Sequence, residues 1–123
     1  GTDVTIVATG HLVWESLLAA DELEKEGISC EVINIHTIKP LDEEIILKSV
    51  EKTGKIVTAE EHNYLGGLGE SVAGMLARKR PTIQEFVAVN DTFGESATPE
   101  ELMKKYGIDA DAVKAAVKRI LAR

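Results

Sequence analysis

Several familiar devices are missing from this chain. It has a single cysteine, Cys30, in 123 residues, so no internal disulfide can form and a reducing compartment is expected. Cys30 falls in a strand-like run, where a thiol serves as a small packing residue. Basic residues are outnumbered, 14 against 21 acidic, for a net charge of −7. That sign argues against nucleic acid, whose backbone calls for a basic surface, and disfavours anionic lipid. The cluster Arg78-Lys79-Arg80 ends a helical pattern and suits the helix dipole better than a docking patch. No apolar run approaches the ~20 residues that a membrane span needs. The start, GTDVTIVAT, carries no basic leader, no signal-type hydrophobic region and no initiator methionine. It enters a strand-like segment almost at once, as expected of a piece cut from something longer. A cytoplasmic setting is expected.

What is present fits one compact domain over residues 1–123. Hydrophobic content of 44% and charged content of 28% are ordinary for a soluble globular protein. Residues 3–9, DVTIVAT, read as a buried strand ended by Gly10. Residues 11–26 read as a helix with Val13, Leu17 and Ala20 on one side and Glu15, Glu22 and Glu26 on the other; Gly27 stops it. Trp14, early in this helix, is expected in the core. SCEVINI, 29–35, is the second strand. Asp42 caps a helix whose buried stripe is Ile45, Ile46 and Val50, and Gly54 closes it. KIVTAE, 55–60, is the third strand; Leu68, Val72, Met75 and Leu76 then line one helical face; IQEFVAV, 83–89, is the fourth strand. In the tail, TPEE from Thr98 is a capping box with proline at the first helical position. A short helix should stop at Gly107, and Asp109 should cap a last helix carrying Val113, Ala116, Val117, Ile120 and Leu121. Alternating strands and helices predict a parallel sheet covered on both faces, a three-layer α/β/α fold.

The stretch EEHNYLGGLGES, residues 60–71, puts a histidine and a tyrosine beside Gly66, Gly67 and Gly69, between a strand and a helix. Phosphate cradles occur at such places. The spacing is neither G-x-G-x-x-G nor a P-loop, and Glu60 and Glu61 just upstream would repel a phosphate. A sharp turn using positive φ, with close approach of another backbone, is the plainer reading. His11, His36 and His62 each follow a predicted strand at or near its carboxyl end, the edge where ligand sites gather in parallel sheets. No H-E-x-x-H, paired-cysteine spacing or G-x-S-x-G points to a metal or a nucleophile. Phe93, in the polar segment NDTFGES, is either tucked into its own core or offered to a partner.

Taken together, GTDVTIVATG, VINIHTIKPLDEE, VTAEEHNYLGGLGE and NDTFGES resemble the C-terminal domain of transketolase, in order and over nearly the whole chain. The likeness is nearest to the C-terminal half of enzymes split into two chains. Related domains end the 2-oxoacid dehydrogenase beta chains and deoxyxylulose-phosphate synthase; the histidine of EEH and the DTFGES stretch favour transketolase. The resemblance implies a sheet with strand order 2-1-3-4, all parallel. The family has a fifth, antiparallel strand, which would end where Gly1 stands. It also implies two-carbon ketol transfer between sugar phosphates by an enzyme that uses thiamine diphosphate and a divalent cation such as Mg. Both are held by other domains, so no catalytic, cofactor or metal residue is assigned to this chain, and alone it is expected to be inactive. The expected partners are the thiamine-binding domains or subunit, within a homodimer. On this reading, the docking surface comprises His62, Asn63, Tyr64, Gly66, Gly67, Gly69 and Phe93. The runner-up readings are the equivalent domain of the related enzymes and a free-standing flavodoxin-like module that binds a small molecule.

Overall fold

The computed structural model describes residues 1–10, 12–35, 41–61, 67–89 and 98–123, with backbone alone at 61, 89 and 102–108. The elements run β1 (Val4–Ala8), α1 (Leu12–Lys25), β2 (Cys30–Asn34), α2 (Glu43–Thr53), β3 (Lys55–Glu61), α3 (Leu68–Lys79), β4 (Ile83–Val89) and α4 (Pro99–Leu121). The sheet order is β2-β1-β3-β4. Every neighbouring pair is parallel, as expected, with Thr5 level with Ile56 and Thr58 level with Phe86. Among the described residues four strands form the sheet.

Two cores sandwich it. On one face α1 and α4 pack on Val4, Ile6, Ala8, Val57, Ala59 and Val87. On the other, α2 and α3 pack on Val7, Ile33 and Ile56. β1 is buried at all five positions, which explains its unbroken apolar and β-branched run. Each Leu or Ile removed from water in this way contributes about 1.5–3 kcal/mol. None of the helices of the described residues is long and apolar enough to cross a membrane.

Local signals set several boundaries as expected. The Asp42 carboxylate accepts from the Ile45 amide at 3.5 Å, and Gly54 ends α2 in the left-handed region at φ 70, which favours glycine. Thr98 Oγ1 accepts from the Glu101 amide at 3.2 Å, with Pro99 in the first turn of α4. The face of Leu68, Val72, Met75 and Leu76 is buried, as its spacing predicts.

Three expectations fail. The tail is one helix, not two: α4 passes through Gly107 without a break. An interior glycine costs a helix only about 1 kcal/mol, and packing against α1, β3 and β4 offsets that. Asp109 is accordingly a buried residue inside the helix rather than a cap. The buried stripe of α1 is also rotated by about one residue from the expected one. Leu12, Glu15, Ser16, Ala19 and Leu23 face inward, Leu17 is exposed, and Trp14 is 57% exposed rather than in the core. The apolar content of α1 runs most of the way round, so periodicity alone fixes its face poorly. In α2, Ile46 is buried and Ile45 exposed, with Ser49 and Thr53 completing the inner stripe.

Candidate functional site

Because the strands are parallel, β1, β2, β3 and β4 end at Ala8, Asn34, Glu61 and Val89 along one edge of the sheet. The histidine-bearing segments and NDTFGES follow those four ends in the sequence. His11, His36, His62, Asn63, Tyr64, Gly66 and Phe93 themselves lie outside the described residues. Described at this edge are Glu60, near the end of β3, and Gly67 and Gly69, at the start of α3; Thr58, Gln84 and Phe86 lie further back along β3 and β4.

Glu60 explains the glycine turn. The Gly69 amide donates to its Oε2 at 2.9 Å and the Gly67 amide to its Oε1 at 3.3 Å. Gly67 is the N-cap of α3 and has no side chain with which to cap, so the carboxylate of the preceding strand does it. Negative charge belongs at a helix amino end, and here the chain supplies its own anion. The physics that disfavours a phosphate beside Glu60 and Glu61 thus acts through Glu60 occupying the amides a phosphate would use. Two amides that a diphosphate would use at this helix end are therefore already engaged. The described residues do not bring together three His, Cys, Asp or Glu side chains that could hold a metal.

Gly67 lies at φ 161, an extended backbone open to any residue, so the positive φ expected of the turn is not found there. Gly69 has a different reason to be glycine. A Cβ at Gly69 would stand 2.5 Å from Cδ2 of Phe86 and 3.2 Å from Oγ1 of Thr58. The close approach is to side chains of this chain's own sheet. Gln84 completes the clamp: its Nε2 donates to the Gly69 carbonyl at 3.0 Å and to Thr58 Oγ1 at 3.1 Å. Phe86 covers Gly69 and still leaves 53% of itself exposed.

Sequence reasoning missed Glu60 as a cap, Gln84 as its counterpart, and the exposed stripe of Trp14, Leu17 and Leu18 on α1. The signal for the first was present: a carboxylate at a strand end, a few residues before bare glycine amides that open a helix. Away from the turn, burial pushes the Cys30 thiol up to about 11, which keeps it a protonated packing group at neutral pH. A groove of about 640 Å³ runs between the β2 edge and α2, past Ile33, Ile45 and Ser49. Its charges are partly matched, Lys52 donating to Glu31 at 2.9 Å.

Comparison with known proteins bears on what such an edge is for. The family "Transketolase, C-terminal domain" matches residues 1–113. The chain is 46% identical over its full length to the 6-deoxy-6-sulfo-D-fructose transketolase subunit SqwH of Clostridium sp. (strain MSTE9), spanning 38% of that protein. It is 43% identical over 98% of its length to a putative transketolase C-terminal section of Methanocaldococcus jannaschii, spanning 37% of it. A solved split-gene transketolase, an inactive β4 tetramer, superposes on 99% of the chain with a TM-score of 0.82 and 48% identity, the match covering 40% of that structure. The chain therefore spans well under half the length of these relatives.

Proposed function

We propose, for a chain that belongs to the transketolase C-terminal domain family, that it is the non-catalytic assembly domain of a thiamine diphosphate-dependent transketolase. The complete enzyme moves a two-carbon ketol unit between sugar phosphates. Thiamine diphosphate and a divalent cation such as Mg belong to its other domains or subunit, and this chain joins them through the carboxyl edge of its sheet in a homodimer in the cytoplasm. One observation carries the reading: the strand-to-helix turn where a parallel fold would hold a phosphate has its amides taken by Glu60. His62, Asn63 and Tyr64, which follow in the sequence, are of the polar and aromatic types that a protein partner would use. The inactive tetramer formed by a related split transketolase supports the view that this half does not catalyse alone. The exposed Trp14, Leu17 and Leu18 add apolar surface of the kind found where proteins meet.

The test is direct. His62→Ala with Tyr64→Ala should weaken association with the thiamine-binding partner and lower the activity of the mixture. Unchanged association and activity would remove the reading. The equivalent domain of a deoxyxylulose-phosphate synthase is the weaker alternative, since transketolases are the more similar relatives. Trials with a ketose phosphate as ketol donor against pyruvate as acetyl donor, in the assembled enzyme, separate the two.

A further inference from the structure

We propose that the open side of β4 pairs with β4 of a second copy of this chain, antiparallel about a two-fold axis at Phe86, so that two four-stranded sheets join into one. Such a pairing gives the homodimer proposed above its surface, and rests on that part of the reading alone. β4 is the outermost strand on its side, so alternate residues turn an amide and a carbonyl away from β3. Its side chains are bare on both faces. Gln84 reaches Gly69 of α3, while Glu85 reaches Arg119 and Arg123 at the end of α4. Because side chains alternate along a strand, Phe86 shares the α3 face with Gln84 and Ile83 shares the α4 face with Glu85. Phe86 is 53% exposed and Ile83 41%. Among the described side chains of β4 only Val87 is buried. Ile56, Val57, Thr58 and Ala59 of β3, which has a strand on either side, are no more than 1% exposed. A helix laid on the sheet would cover one of the two bare apolar residues. An added strand covers both, since its own side chains alternate between the same faces, and it also pairs the free backbone groups.

The strand at the other side of the sheet is guarded against such pairing. β2 has five residues against seven in β4, carries no exposed large apolar side chain, and holds Glu31, bonded to Lys52. Short length and charge are what keep an outer strand from pairing. β4 has neither: its one charged residue, Glu85, is drawn onto α4 by two arginines. A second copy fits because the β4 sequence, IQEFVAV, is compatible with itself. About an axis at Phe86, Gln84 lies opposite Ala88 of the second copy, Glu85 opposite Val87, and Phe86 opposite Phe86. No like charges oppose one another, and an aromatic pair stands at the axis, a favourable cross-strand combination. The pairing closes at two copies, because each β4 has a single open side.

The experiment follows self-association of the complete natural protein by sedimentation, with amide hydrogen exchange read along β4 and β2 at high and low protein concentration. Dimer formation should slow exchange in β4 and leave β2 unchanged. Phe86→Lys sets like charges opposite each other at the axis, and Ile83→Lys charges the face away from Gly69. Each should weaken self-association by about 10-fold or more. Ile45→Lys charges a comparably exposed apolar residue on the β2 side of the molecule and should leave self-association within about 2-fold. A natural protein that dimerises, with β4 exchange indifferent to concentration and both β4 variants associating as it does, would overturn the pairing while the homodimer stands. A natural protein that stays monomeric removes both. Exchange in β4 slowed by the thiamine-binding partner, with self-association unaffected by the β4 variants, would give this strand to that partner and equally overturn the pairing.

Discussion

The helices on the two faces of the sheet are held by different means. On one face α1 and α4 meet the strands mostly through apolar side chains, and ion pairs span the rim: Lys118 to Glu26, Lys114 to Glu22, and Arg119 and Arg123 to Glu85. On the other, α2 and α3 share an apolar core but are also joined to the strands by buried or part-buried hydrogen bonds, where those of the rim are exposed. Thr5 of β1, fully buried, bonds Ser49 at 2.6 Å and Thr53 at 2.8 Å; Glu60 and Gln84 bond α3 at Gly67 and Gly69. Apolar contact is non-directional and lets a helix settle; a buried hydrogen bond fixes its register. The bonded face is the one bordering the glycine turn, where the proposed docking would call for a fixed register.

The contrast can be broken at several points. The largest effect is expected from Ile120→Ala on the apolar face, a loss of about 2–5 kcal/mol in denaturant unfolding, because a fully buried side chain leaves a cavity. Thr5→Val on the bonded face keeps the volume but removes the bonds to Ser49 and Thr53, the latter keeping its bond to the Lys55 carbonyl, and should cost about 1–3 kcal/mol. Adding Ser49→Ala should cost less in the Thr5→Val background than in the natural chain; strict additivity in that cycle would show that the bond contributes nothing. Gly69→Ala must displace the Phe86 ring, which half-exposure permits, so its cost should be about 1 kcal/mol and should shrink when Phe86 is also alanine.

The rim pairs should matter least. Glu85→Gln is expected to cost under about 1 kcal/mol. Arg119 and then Arg123 hold the Glu85 carboxyl below its ordinary 4.5, Lys114 does the same for Glu22, and Lys79 for Glu43. A carboxylate whose folded value is depressed adds stability above its unfolded value and loses it as pH falls through the folded one. Thermal unfolding should therefore show a small decline only on acidification below about 4.5, smaller again in Glu85→Gln.

Much of the architecture was legible in the sequence, and the reasons are physical. β1 is unambiguous because a strand buried on both faces must be apolar throughout, and α2 because Asp42 and Gly54 mark its ends chemically. The sheet order came from the family resemblance, since strand adjacency leaves no mark in local sequence. The inner face of α1 was misread because Trp14, Leu17 and Leu18 stay outside while Glu15 goes in. Hydrophobicity cannot mark a face when apolar side chains lie on both sides of the helix. Gly107 misled because propensity yields to tertiary packing. At the turn, composition argued against a phosphate, but which amides Glu60 would take depends on the meeting of β3 and α3 in space.

The central claim is that this edge joins the chain to a partner and performs no chemistry. The measurement that meets it most directly is ketol transfer, with thiamine diphosphate and Mg, by the chain alone, by the thiamine-binding partner alone and by the two mixed. The account predicts turnover only in the mixture, with no thiamine diphosphate retained by this chain. Ketol transfer by the purified chain unaided would contradict it.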